Sequence, residues 1–182
     1  EALKFGMDEK PRLVHRLDKE TSGVLLLART RNVAKHLSKA FQQKKTRKIY
    51  WAAVAGVPTP HLGTINYGLV KSINKDFEKM RCVHPGDVKR IDAAKHAETD
   101  YMVLTQLAKR GSWLAMVPVT GRTHQLRVHL SARGYPIVQD PYYGKKKHGE
   151  GQYLQATRLS FTHPIDQKRY SFEVPMSKRI ML

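Results

Sequence analysis

The sequence predicts an α+β fold, a mostly antiparallel mixed sheet with a few flanking helices. Strand-like stretches recur in pairs joined by short turns, and only a few segments carry a helical pattern. No internal repeat or low-complexity tract interrupts them. Length and apolar content allow one domain with a sizeable core, so residues 1–182 are read as a single domain, with a charged loop region at about 71–97.

Ser22 to Arg29 is a continuous apolar run and reads as a buried strand. Asn32 is placed to cap a helix through about Lys44, because Val33, Leu37, Ala40 and Phe41 fall at i, i+4, i+7 and i+8 on one face. Arg47 to Gly56 returns as a strand rich in aromatic and β-branched residues. Residues 71–97 have many charges and no clear period, which suits a long loop with a short strand near Arg81 to His84. Glu98 to Leu107 and Trp113 to Val119 read as two strands joined by a turn near Arg110-Gly111. Arg122 to Arg133 is helical by pattern, with Gly134 in the position of a C-terminal cap. Tyr153 to Phe161 and Arg169 to Val174 supply closing strands around the turn Pro164-Ile165-Asp166.

Charge narrows the partner. Lys and Arg outnumber Asp and Glu by 33 to 15, a formal net charge of +18 on 182 residues. That excess is large enough to dominate association with a polyanion through counterion release. The basic residues recur along the chain (Lys44-Lys45, Arg47-Lys48, Lys89-Arg90, Lys109-Arg110, Lys145-Lys146-Lys147), which favours a basic face on a folded body over a disordered arm. No apolar run has the length to span a bilayer, and no long amphipathic helix with an aromatic face offers a membrane surface. The single cysteine, Cys82, excludes an internal disulfide and leaves no Cys pair for a zinc knuckle. His124 and His129 are five apart, so they do not share a helical face, and no HExxH spacing appears. The site is therefore expected to be free of metal.

The richest stretch is His15-Arg16-Leu17-Asp18-Lys19-Glu20-Thr21-Ser22-Gly23. It sets a carboxylate directly after a basic pair, at a turn leading into the apolar run. Positive charge nearby favours the ionised form of such a group, which suits it to act as nucleophile or base toward an anionic substrate. Asp, Thr, Ser and Gly are equally common in ordinary turns, so on this window alone both readings stand.

Two later segments break the tie. HRLDKETSGVLLLAR resembles the signature of the RluA-type family of RNA pseudouridine synthases. Lys48-Ile49-Tyr50-Trp51-Ala52-Ala53-Val54-Ala55-Gly56 resembles its second motif, a basic-X-Tyr strand ending in Gly. Thr120-Gly121-Arg122-Thr123-His124-Gln125-Leu126-Arg127-Val128-His129-Leu130 resembles its third, followed by Gly134-Tyr135-Pro136-Ile137 and Asp140-Pro141-Tyr142-Tyr143-Gly144. The matches run in family order from about residue 12 to 175, and three long motifs in order are far more specific than one.

The resemblance implies a pseudouridine synthase catalytic domain that isomerises a uridine of structured RNA, large-subunit ribosomal RNA or a pre-ribosomal particle being the expected partner. The reaction breaks the N1–C1′ bond, turns the detached uracil, joins C5 to C1′ and removes the C5 proton. It needs no redox step or group donor, so no cofactor is expected. By the same resemblance Asp18 is the catalytic carboxylate, comparable to carboxylates in glycoside hydrolysis. Tyr50 lies against the target base, where it takes or relays the C5 proton; without the resemblance it would read as an ordinary strand aromatic. Arg127 is expected to pair with Asp18 through bidentate geometry; its plainer alternative is a phosphate contact or a solvated helix face.

A flipped uridine is required to meet Asp18, and Arg16 is positioned to support it or fill the space it leaves. Arg122, five residues before Arg127 and roughly 140° away on an α-helix, is given a backbone or phosphate role. Lys145, Lys146 and Lys147 are expected to contact phosphates. His15 reads as a structural hydrogen-bonding residue, Thr21 and Ser22 as fixing the turn, and Gly23 as a point of close backbone packing. Gln155 stands where many relatives have His, so no role of that His is carried over.

The family usually has a strand with an Asn-Lys-Pro-X-Gly motif before HRLD, so an N-terminal strand segment is expected to be missing. The lone Cys82 suits a reducing interior and the basic, Met-less start suits a processed mitochondrial protein, so the mitochondrial matrix or the cytoplasm is expected. A second function class is an RNA-binding ribosome-assembly factor that keeps the synthase fold without needing catalysis. A hydrolase using Asp18 on an anionic sugar lacks a second carboxylate at any motif-like position.

Overall fold

The computed structural model describes residues 3–4, 6–72, 79–108, 110–144 and 151–177. In chain order these form β1 (Arg12–Leu13), β2 (Ser22–Gly23), β3 (Leu27–Ala28), α1 (Arg31–Gln42), β4 (Arg47–Ala55), β5 (Leu62–Ile65), β6 (Gly68–Lys71), β7 (Met80–Val83), a 3₁₀ turn (Pro85–Asp87), β8 (Thr99–Leu107), β9 (Gly111–Pro118), α2 (Gln125–Ala132), β10 (Leu154–Thr162) and β11 (Arg169–Glu173). The main sheet runs β11-β10-β4-β9-β8-β5, and every neighbour in it is antiparallel. β2 joins as the parallel exception, pairing Ser22 and Gly23 with Gln155 and Ala156. The α+β, mostly antiparallel prediction therefore holds.

Alternation along the central strands divides the sheet into two faces. Tyr50, Ala52 and Val54 of β4 and Leu114 and Met116 of β9 form the principal core with Leu126 and Leu130 of α2. A second cluster packs Ala34 and Leu37 of α1 on Leu159 and Phe161 of β10. These two helices are the ones that carry site residues.

Four expectations need correction. Ser22 to Arg29 is not one buried strand: it is divided between β2 in the main sheet and β3, which pairs with β1. The reason lies in the backbone. Gly23 has φ +119, and Leu26 donates its N–H to His15 Nε2 at 2.9 Å instead of to a neighbouring strand. Helix α1 is capped by Thr30, whose Oγ1 accepts from Val33 N, and it ends at Gln42. Helix α2 begins at Gln125, because the Gln125 side chain accepts from Arg122 N and Thr120 Oγ1 and donates to the Glu98 carbonyl, holding 120–124 as a turn. Arg122 thus precedes the helix, and the helical-spacing argument about it does not apply. Finally, the short strand expected near Arg81 to His84 is present as β7, but it does not stand alone in a loop: it pairs with β6, which ends where the charged region begins. Gly134, at φ +87, takes the C-terminal position expected of it.

Gly23 fixes the entry to the site. A Cβ there would lie 2.2 Å from the Ala156 carbonyl oxygen, and the positive φ is itself adverse to any other residue. Gly23→Ala is expected to destabilise the fold by about 3 kcal/mol or more, read from urea midpoints, through loss of the β2–β10 contact.

Candidate active site

Segments far apart in the chain meet at a cavity of about 430 Å³. Its wall is built from the Asp18 loop, the C-terminal turn of α1, the start of β4 and the 118–126 segment. Asp18 sits half-buried at the loop's tip, where Thr21 N donates to the Asp18 carbonyl at 3.0 Å and closes the turn. Leu17 anchors that turn by packing on the principal core. Gln152 donates to Thr21 Oγ1 at 2.7 Å, tying the loop to the approach of β10.

Tyr50 faces the same cavity from β4 and is 8% exposed. Burial, reinforced by the nearby Asp18 charge, pushes its phenol up to about 12. At neutral pH Tyr50 is therefore a neutral phenol, able to donate a hydrogen bond. Lys48, two residues earlier and so on the same strand face, lines the cavity beside it. Burial lowers the Lys48 ammonium's pKa, and Asp18 partly offsets this. Sequence reasoning included Lys48 in the basic-X-Tyr motif but gave it no role; the i, i+2 spacing to Tyr50 was the available signal.

Among the described residues Arg127 is the largest fully buried side chain, and its fork is not spent on Asp18. Nε and Nη2 donate to Asp140 Oδ2 and Oδ1 at 2.8 and 2.9 Å, leaving Nη1 3.8 Å from Asp18 Oδ2. The expected Arg127–Asp18 proximity is present, but the bidentate partner is Asp140. Asp140 is fully buried and Oδ1 also accepts from Tyr142 N and Tyr143 N. The Tyr142 and Tyr143 rings flank the guanidinium, their centroids 5.2 and 5.3 Å from it. Burial disfavours both charges, yet their mutual hydrogen bonds and attraction outweigh it: Arg127 is held above its ordinary pKa and Asp140 below. This second carboxylate was missed because nothing in local spacing links positions 127 and 140.

Arg16 and Arg122 also line the cavity. Arg16 is exposed, whereas Arg122 Nε donates to the His96 carbonyl at 3.2 Å. Lys145, Lys146 and Lys147 lie outside the described residues. Gln155, the departure from the common His, does not line the cavity: it is buried, donates to the Pro175 carbonyl and accepts from Ser177 N.

His15 is structural, as expected. Its ring stacks on Phe41 at 4.7 Å and Nε2 accepts from Leu26 N. Burial, with Lys48 nearby, pushes its pKa down to about 4 from 6.5. The unfolded chain therefore binds more protons between those values, so stability is full above pH 6.5 and falls as the pH drops toward 4. After discounting for partial exposure, the loss is on the order of 2 kcal/mol. Urea midpoints at pH 7 and 4.5 read it, and His15→Leu should be less stable throughout but flatter across this interval.

A carboxylate beside a buried arginine, a protonated tyrosine and a cationic wall is a site for an anionic, base-bearing substrate. The chain belongs to the RNA pseudouridylate synthase family, whose model matches residues 2–132. Within it, the chain is of the RluA type. It is 39% identical over 180 residues to an uncharacterised RNA pseudouridine synthase of Zymomonas mobilis, covering 97% of this chain and 78% of that one. It is 32% identical over 176 residues to the ribosomal large subunit pseudouridine synthase C of Vibrio cholerae, covering 92% of this chain and 52% of that one. The chain thus spans about half the length of several curated relatives that it matches. The solved structure of human RNA pseudouridylate synthase domain containing 4 superposes with a TM-score of 0.79 at 28% identity, covering 95% of this chain and 74% of that one.

Proposed function

We propose that residues 1–182 act as one catalytic domain that isomerises a specific uridine of large-subunit ribosomal RNA. Asp18 supplies the carboxylate that meets the positive charge developing at C1′ as the N1–C1′ bond breaks. Uracil turns within the cavity, C5 joins C1′, and the C5 proton leaves. Tyr50, kept protonated by its surroundings, lies against the base and relays that proton, passing its own hydroxyl proton to solvent as it accepts the one from C5. Nη1 of Arg127 orients Asp18, while Asp140 and the two tyrosines orient Arg127. Arg16, exposed at the rim, supports the extruded nucleotide, and Arg122 meets the adjacent backbone.

The observation that carries this reading is that three separate motifs converge: Asp18 and Tyr50 line one cavity, and buried Arg127 lies 3.8 Å from Asp18. Carbodiimide-based pseudouridine mapping of total RNA from cells lacking the protein tests it without a prior choice of substrate. One or more sites should vanish and return with the wild-type gene. The ribosomal RNA that carries the site, mitochondrial or cytoplasmic, also identifies the compartment. An unchanged map in cells with a ribosome-assembly defect would replace this reading with that of an RNA-binding assembly factor.

A further inference from the structure

A larger concavity, about 670 Å³, adjoins the cavity just described. Its floor is apolar: Ile49, Met102, Ala115 and Val117 lie on the sheet face opposite Tyr50, Leu114 and Met116, as strand alternation requires. Leu62, Met102 and Ala115 stand in one register row across β5, β8 and β9. Two members of that row are left largely in solvent, Leu62 at 67% and Met102 at 46% exposed.

The wall of this groove is cationic. Lys44, Lys45, Arg47 and Lys48 come from the α1–β4 turn and the start of β4, and Arg169 comes from the start of β11. Among the described residues that line it, the one carboxylate is Asp100, which accepts from Thr64 Oγ1 at 2.6 Å. The turn that presents the lysines is tightly held. Lys44 has φ +58, an unfavourable conformation for a residue with a side chain. Lys45 N donates to the Ala40 carbonyl at 2.9 Å, and Arg169 Nη1 reaches the Lys45 carbonyl at 3.4 Å.

The two concavities adjoin. Phe41, Lys48, Pro118, Thr120 and Gly121 line both, so the groove and the Asp18 cavity meet at the start of β4 and the end of β9. A nucleotide seated in that cavity has chain on either side of it. A groove that adjoins the cavity, with cations for phosphates and an apolar floor against which bases can lie, matches an unpaired strand. We propose that this groove is a second RNA subsite that holds unpaired nucleotides flanking the target uridine. The assignment rests on the RNA-modifying reading above and adds to it a demand on the substrate: single-stranded RNA next to the target.

The test uses the full chain and two fluorescein-labelled probes, uridine 5′-monophosphate, which can fill only the Asp18 cavity, and a dodecauridylate that can also reach the groove. Anisotropy titrations compare wild type with a Lys44→Ala/Lys45→Ala/Arg169→Ala variant. A control of equal charge, Arg81→Ala/Lys89→Ala/Lys95→Ala, replaces exposed cations away from the groove. The groove variant should bind the dodecamer about tenfold or more weakly at low salt, and its slope of log K against log salt should fall by about 2, from three lost phosphate contacts. Mononucleotide binding should stay within about twofold of wild type, and the control should change neither by as much.

Equal weakening by the control, or equal weakening of mononucleotide and dodecamer, would mean a diffuse field and overturn the subsite. Unchanged dodecamer binding by the groove variant would overturn it too, leaving the groove to a protein partner. As a second readout, 4-thiouridine at the dodecamer ends should crosslink to peptides containing residues 44–49 or 115–118; crosslinks elsewhere alone would oppose the proposal. Because these assays measure binding, their failure is distinct from failure of the pseudouridine map.

Discussion

Asp18→Asn is expected to reduce pseudouridine formation by about 10³-fold or more while RNA affinity stays within about twofold. Asn has the same size and keeps the turn, whose closing bond uses the Asp18 backbone carbonyl and not the side chain. What it loses is the negative charge and the nucleophilic oxygen. Removal of the C5 proton gives a direct readout: RNA labelled with tritium at uridine C5 releases it to solvent in a single turnover, and filter binding on the same sample reports affinity. Retention of turnover within tenfold of wild type would remove Asp18 from the chemistry.

Arg127→Met is expected to cost about 3–5 kcal/mol of stability, because it strands the Asp140 carboxylate in a fully buried position. Adding Asp140→Asn should recover much of that loss. The amide oxygen can still accept from Tyr142 N and Tyr143 N, and no isolated charge remains. Activity should not return with stability, since Asp18 still lacks its neighbour at 3.8 Å. Urea melts and tritium release on the single and double variants read the two quantities separately. Recovery of both together would reduce Arg127 to a folding role.

The long strands were legible because each shows nine or so residues of β-rich composition bounded by turn residues. β4, β8 and β10 appear within a residue or so of their expected limits. The three site motifs were equally legible, since each is a contiguous string. What was hidden depends on partners remote in sequence. Composition reads the run after Ser22 as a strand, but His15 takes the Leu26 amide and Gly23 turns the chain. α2 starts three residues late because one glutamine side chain satisfies the turn before it. β5 and β6 are four residues each, too short for a period to declare itself. The Arg127–Asp140 fork is a tertiary fact with no local trace.

The Asp18 loop is secured by contacts with the end of the fold: Gln152 reaches back 131 positions to Thr21, and β2 lies along β10. Closing so long a loop is entropically costly and slow compared with forming the local hairpins β8–β9 and β10–β11. A nascent chain therefore presents the basic α1–β4 turn before β10 exists to seat the Asp18 loop. On the proposed reading of Asp18, a chain made only through β9 can touch RNA but cannot alter it.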